Sequence, residues 1–385
     1  MFQMSACQET MGGTCCEQMK GKLTLGTVLM AAALSTACVL AADNAKLRWV
    51  DMTTLNVEGR PWNDTETYYC RLPSKASGAV PASVYNLSKQ TAGMLVRFVT
   101  DATNIHARWV LTSSNLAMPH MAATGVSGLD LYVRDEARWR WLAVGRPTSQ
   151  TNSARLVSDI PPGEREYILY LPLYNGVNSV EIGVAEGCKL VQAGPWGKGD
   201  RKPVVFYGTS IQQGGCASRP GMVHSSILGR RFNWPTINLG FSGSGRMEMA
   251  MADLIAELDA SVYVLDCLPN MTEELLKERF EPFVRKLRAA RLNTPIVIVE
   301  DRTYSSAYLV GGHRERHERG RAVIRECYKR LRKEGWKGLY YVEGDYLLGR
   351  DEEGTVDGSH PTDLGFMRQA DVLGRTIGPL LKPGR

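Results

Sequence analysis

Two hydrophobic periodicities meet at AGPWGKGDRKP (193–203). Before this Gly- and Pro-rich linker, the apolar segments are short and rich in Val, Tyr and Trp. They include MLVRFVT (94–100), IHARWVL (105–111), GLDLYVRD (128–135), RWRWLAV, REYILYLPLY (165–174) and NSVEIGVA (178–185). Several alternate apolar with polar residues, and turn-forming DATN, PPGE and NGVN separate them. Many short strands at regular spacing predict an all-β sandwich or jelly roll over 43–192, with no helical period. After the linker, VVFYG, PTINLGF, SVYVLDC, TPIVIVE and GLYYVEG are near-continuous apolar runs. Helical patterns at 222–232, 246–258, 272–291 and 313–334 alternate with them, and PTDLGFMRQADVLGRTI supplies a last one. Thr272, followed by Glu273 and Glu274, suits a helix start. Five buried strands alternating with helices predict a three-layer α/β/α domain over 204–385, built on a parallel sheet.

The rest of the composition narrows the partners. The chain has 385 residues, enough for two domains, with 44% apolar and 22% charged residues. A net charge of +6, with glutamates interleaved among the arginines of 314–321, argues for a solvated helix face and against nucleic acid. Lys20 and Lys22 precede LTLGTVLMAAALSTACVLAA, a basic, then apolar, then small-residue pattern. It reads as a secretory signal over 1–42, cleaved after Ala41 or Ala42, with Met19 as the expected true start. Export to a periplasm or the exterior follows, with no stable membrane span in the mature chain. Lipid anchoring through Cys38 is the weaker alternative, because no Leu stands three residues before it. Of nine cysteines, five remain after cleavage: Cys70, Cys188, Cys216, Cys267 and Cys327. They form no disulfide framework and no zinc spacing. A Cys216–Cys267 bridge is conceivable only because both flank candidate site segments.

In parallel sheets, ligands bind beyond the carboxyl ends of the strands. Those ends carry Gly208-Thr209-Ser210, Asn238-Leu239-Gly240-Phe241-Ser242-Gly243, Asp266-Cys267-Leu268-Pro269-Asn270 and Asp357-Gly358-Ser359-His360-Pro361. Ser210 alone reads as a turn or cap serine, and Gln212 rules out a G-x-S-x-G elbow. The other loops supply what a serine nucleophile needs. His360 can take its proton, and Asp357, three residues earlier, can orient the imidazole. The N–H groups of Ser210 and Gly243 and the amide of Asn270 can serve an oxyanion. Thr209, His224 and Arg302 are further candidates for substrate contact. Arg302 otherwise reads as a surface ion pair and His224 as a core or capping residue. His313 and His317 are four apart, yet HRERH lacks the zincin Glu and reads as a solvated face. The glycines at 240, 243 and 245 make no nucleotide-binding fingerprint. Trp49, Trp62, Trp109, Trp139 and Trp141 could stack on sugars, but strand spacing favours a core role.

Gly-Thr-Ser-Ile (208–211) resembles the GDSL block of the SGNH hydrolases, with Thr209 where Asp is usual. NLGFSGSG resembles their second block, Pro269-Asn270 their third without its glycine, and DGSHP their DxxH block, all in family order. GVSGLDLYVRDEARWRWLA resembles the GxDLY-type β domain that precedes the hydrolase domain in a subgroup of secreted SGNH esterases. The resemblance implies a flavodoxin-like hydrolase domain with Ser210 as nucleophile, His360 as base and Asp357 as its partner. It also implies that Gly243 and Asn270 join Ser210 in the oxyanion hole. The implied activity is removal of an acyl group, acetyl above all, from a carbohydrate or small-molecule ester, with no metal or organic cofactor. An acyltransferase with a non-water acceptor and a catalytically silent glycan-binding protein are the alternatives. The sequence leaves the sugar, the acyl chain and the oligomeric state open.

Overall fold

The computed structural model describes residues 46–382. The apolar stretch read as a signal, and Cys38, lie outside the described residues. Among the described residues no helix is long and apolar enough to cross a membrane.

The first half forms two antiparallel sheets. One has the order β1 (Leu47–Asp51), β9 (Val177–Ala185), β4 (Ile105–Leu111), β7 (Thr151–Val157). The other runs β10 (Leu190–Gln192), β3 (Leu95–Thr100), β8 (Arg165–Tyr170), β5 (Leu129–Asp135), β6 (Arg138–Gly145), with β2 (Val57–Glu58) on β3. Alternation does the work expected of it. In β4, Ile105, Ala107, Trp109 and Leu111 are buried and the residues between them are not. They pack with Phe98, Leu131 and Tyr167 of the facing sheet.

The second half is a five-stranded parallel sheet in the order β12 (Thr236–Gly240), β11 (Val204–Gly208), β13 (Val262–Asp266), β14 (Ile296–Val299), β15 (Leu339–Val342). Its three central strands, β11, β13 and β14, are buried on both sides, which is why they read as near-continuous apolar runs. The strand order reverses at β11, so the crevice of the sheet opens at the carboxyl end of that strand.

One expectation fails. The first half is not free of helix: α1 (Ala82–Ser88) and the single turn α2 (Ala123–Val126) interrupt it. Leu72, Ala76, Val80 and Val84 also leave the sandwich. They pack with Leu239, Phe241, Met247 and Met251 of the parallel-sheet half. Their partners lie more than a hundred residues away, so local periodicity could not reveal this.

Two buried charges hold the halves together. Arg71 is fully buried, and its guanidinium donates only to carbonyls in this contact: Gln90 (2.7 Å), Leu87 (2.7 Å), Asn238 (3.1 Å) and Gly240 (2.7 Å). Asn238 and Gly240 lie two apart on β12, the edge of the parallel sheet. Arg71 therefore closes an edge that would otherwise offer free carbonyls. From the sandwich, Asp130 accepts hydrogen bonds from Arg219 (2.9 Å), the Gly221 N–H (2.8 Å) and the Trp141 indole (3.0 Å). Arg219 also donates to the Tyr132 hydroxyl, and the Arg230 guanidinium lies 3.8 Å over the Tyr132 ring. A side chain at Gly221 would sit 2.4 Å from that ring.

Burial pulls the pKa of Arg71 down to about 9, so it stays charged at neutral pH. Arg71→Met should take a donor from four carbonyls, among them the two at the sheet edge, and lower unfolding stability by about 3 kcal/mol, read from the urea midpoint. Arg71→Lys should recover little of this, because an ammonium cannot reach both flanks of the fork.

Candidate active site

β11 ends at Gly208, and Thr209 begins a one-turn helix α3 (Ser210–Gln213) closed by Gly214 at φ 114°. The Ser210 carbonyl accepts from the N–H groups of Gly214 (3.0 Å) and Gly215 (2.8 Å) and from the Tyr174 hydroxyl (3.2 Å). Its backbone is thus fixed from both halves of the molecule. The Ser210 side chain, on a residue only 8% exposed, places Oγ 2.8 Å from His360 Nε2.

His360 and Asp357 form a compact unit on the loop before α8 (Asp363–Ile377). Asp357 Oδ2 lies 2.7 Å from His360 Nδ1, while Oδ1 accepts from the N–H groups of Ser359 (3.0 Å) and His360 (2.8 Å). The His360 carbonyl accepts in turn from the Val356 N–H (2.9 Å) and the Thr355 hydroxyl (2.8 Å). Burial alone would raise the Asp357 carboxyl, but hydrogen bonds from the His360 N–H and ring and the Ser359 N–H bring it below its ordinary range. A carboxylate on Nδ1 requires that nitrogen to carry the proton. Nε2 is then the acceptor for the Ser210 hydroxyl.

The other loops converge on the end of β11. Phe241 N–H donates to the Gly208 carbonyl (3.0 Å), and a side chain at Gly245 would meet that same oxygen at 2.1 Å. Gly243, at φ 64°, occupies the turn between them, with open space where a Cβ would point. Asn270, in the turn Leu268–Asn270 after β13, donates through its amide to the Ser244 carbonyl. This ties Asn270 to the Gly243 loop and leaves a second amide hydrogen for another acceptor.

The three candidates for substrate contact are placed elsewhere. Thr209 is fully buried, and its hydroxyl caps α3 by accepting from the Ile211 N–H (3.3 Å). His224 begins α4 (His224–Phe232) but is buried beneath the site: Nε2 lies 2.6 Å from Gln212 Oε1, and the ring stacks on Phe366. Arg302 is neither a substrate contact nor a surface ion pair. It is 1% exposed, with both Nη atoms on the Asp266 carboxylate and Nε 3.2 Å from Gln369 Oε1. The end of β14 is where it was expected, but its side chain turns across the sheet toward β13.

The remaining expectations divide. Cys216 and Cys267 are both free, so no bridge joins their loops. His313 is exposed and its Nδ1 lies 2.7 Å from Ser306 Oγ, while His317 is only 5% exposed, so HRERH is not wholly a solvated face. Among the described residues no cluster of His, Cys, Asp and Glu is arranged to hold a metal. Trp109 is core, Trp139 donates to Asn233 (3.2 Å) and Trp62 to Glu257 (3.0 Å). Two residues at the site escaped the sequence reading. Tyr174 was hidden in a strand-like run, and His120, on an irregular loop, has its ring centroid 6.3 Å from that of His360. No local pattern marks either.

At the switch point of this buried parallel sheet, Ser210, His360 and Asp357 are joined in series by hydrogen bonds. The GDSL-like lipase/acylhydrolase family model matches residues 201–378, and the GxDLY model, the N-terminus of SGNH-type esterases, matches 47–190. A crystal structure from Bacteroides ovatus, described as a GDSL-like lipase, is 33% identical with a TM-score of 0.82, covering 88% of this chain and 100% of its own. The chain belongs to the GDSL-like lipase/acylhydrolase family and is an ester-bond hydrolase. A salicylyl-acyltransferase from a tetracycline biosynthetic pathway shares the fold at 19% identity and TM-score 0.69, covering 87% of this chain and 97% of its own. A family two carbohydrate esterase from Cellvibrio japonicus does so at 12% identity and TM-score 0.56, covering 87% and 98%. No curated protein sequence matches the chain.

Burial pushes the His224 pKa from 6.5 down to about 3, so the folded protein holds the ring neutral. The unfolded chain binds a proton as pH falls below about 6.5 and the folded chain does not. The stability from His224 is therefore full above that pH and is lost on acidification toward the folded value. His224→Gln should remove this dependence. Between pH 7 and pH 4.5 the parent should lose about 2 kcal/mol more than the variant, read from urea midpoints.

Proposed function

We propose that the protein is an exported serine esterase that removes an acyl group, most simply acetyl, from a carbohydrate through an acyl-Ser210 intermediate. The observation that carries this is the unbroken hydrogen-bond chain from Ser210 Oγ through His360 to Asp357. In the first half-reaction Ser210 Oγ attacks the ester carbonyl and passes its proton to His360 Nε2. Asp357 stabilises the imidazolium through Nδ1. The N–H groups of Ser210 and Gly243 and the free amide hydrogen of Asn270 receive the oxyanion, each such donor being worth about 3 kcal/mol in related chemistry. The tetrahedral adduct collapses as the alkoxide leaves, taking the proton from His360. Water, deprotonated by the same nitrogen, then attacks the acyl-serine; the adduct collapses as Ser210 Oγ leaves and takes that proton back from His360, releasing the acid.

The carbohydrate assignment draws support from neighbours of the same architecture that are carbohydrate esterases, among them an acetyl xylan esterase from Butyrivibrio proteoclasticus. Export rests on the Lys-led apolar stretch before residue 43. The likeness to an acyltransferase favours one second reading, in which an alcohol replaces water in the deacylation step.

Acetate release from a panel of acetylated glycans tests the assignment. Ser210→Ala should lower kcat at least 1,000-fold, on the order of the loss of a triad nucleophile, with the unfolding midpoint unchanged. A fluorophosphonate should label the parent stoichiometrically at Ser210. Retained turnover in Ser210→Ala would overturn the assignment. Ester formation in excess sugar or alcohol, outpacing hydrolysis, would establish the acyltransferase reading instead.

A further inference from the structure

The β domain sends an imidazole toward the loop that carries His360. His120 is exposed, on a turn between β4 and α2, and its ring centroid lies 6.3 Å from that of His360 with the planes tilted by 48°. The turn is not loose. Met118 and Met121 exchange reciprocal N–H to carbonyl hydrogen bonds of 3.0 Å, leaving Pro119 and His120 at the tip. Met121 is 4% exposed and packs with Leu173 and Phe206 in the core below. Just beyond, Thr124 Oγ1 donates to the Ser218 carbonyl (2.6 Å), and a Cβ at Gly125 would strike the Ala217 carbonyl at 2.1 Å. The hairpin is thus seated on the 215–218 loop that continues from the Ser210 helix. Among the described residues no hydrogen bond engages the ring nitrogens of His120. A rigidly presented imidazole beside His360 therefore keeps its ring nitrogens available to a ligand.

We propose that His120 recognises the leaving alcohol and selects esters that carry a free hydroxyl next to the ester oxygen. This rests on the reading of His360 as the general base. The geometry of acyl transfer then fixes which end of the substrate His120 meets. The imidazolium of His360 must hand its proton to the departing oxygen, so that oxygen lies within hydrogen-bond reach of Nε2. The acyl oxygen points instead toward Gly243 and Asn270, on the loops after β12 and β13. A group beside His360 therefore faces the alcohol half of the ester. A neutral imidazole offers one donor and one acceptor, the pair a hydroxyl can satisfy in either direction. A vicinal hydroxyl on the departing alcohol comes within reach of the His120 ring, whereas a simple alkyl ester has nothing to place there.

The test compares kcat/KM for ethylene glycol monoacetate with that for ethyl acetate, which differ by the neighbouring hydroxyl. The parent should favour the glycol ester. His120→Ala should lower the ratio at least 10-fold, chiefly through KM for the glycol ester, and His120→Gln should restore it to within about threefold, because an amide keeps a donor and an acceptor. An unmoved ratio, or a loss shared equally by both esters, overturns the proposal; the shared loss would mean that His120 only steadies His360. Failure of the underlying reading looks different: the parent hydrolyses neither ester, or Ser210→Ala hydrolyses both.

Discussion

Two ionic side chains removed from water at one seam decide the architecture. Asp130 and Arg71 belong to the N-terminal half, yet much of what satisfies them lies in the other half: Arg219 and Gly221 for the carboxylate, the Asn238 and Gly240 carbonyls for the guanidinium. A buried charge with its partners taken away is far more costly than one left in water. The halves therefore cannot drift apart without stranding both. The contacts fall on the segments that shape the active site. Arg219 and Gly221 sit downstream of the Ser210 helix, and Gly240 ends the strand that leads to Gly243. The β domain is in this sense a wall of the hydrolase site.

A second set of buried charges lies under the loops. Asp266, at the end of β13, is paired with Arg302, and Glu300, at the end of β14, engages Arg325, Arg321 and the Gly344 N–H. These pairs hold the strand ends at fixed spacing. Above them Ser305 donates from the loop after β14 to the Gly358 carbonyl (3.1 Å), which steadies the turn carrying Asp357 and His360. Preorganisation of this kind keeps the Ser210–His360–Asp357 hydrogen bonds in place, and in enzymes generally misplacement by about an ångström costs catalysis heavily.

The parallel sheet was legible because strands buried on both faces are apolar along most of their length, and the order of the loops followed. Ser210, His360 and Asp357 could be placed together on that basis. Side-chain direction could not. Arg302 stands at a strand end that faces the crevice, but the carboxylate it pairs with, Asp266, lies sideways. His224 starts the helix after the nucleophile yet turns inward onto Phe366. Asp130 and Tyr132 stood inside a recognisable motif while their partners were still invisible. The packing of Leu72 through Val84 on the parallel-sheet core, and of His120 against His360, depends on contacts that exist only after the halves dock.

The relay also divides unevenly along the chain. Asp357 and His360 are three residues apart and meet within a single turn, whereas Ser210 and His360 are separated by 150. Closing the first contact costs almost no loop entropy, and the second is closed by the fold as a whole. Asp357 and His360 thus meet through local backbone geometry, whereas Ser210 reaches them only through the tertiary fold. A substitution in the helices between β11 and the last helix therefore bears on the Ser210–His360 distance before it bears on the Asp357–His360 pair.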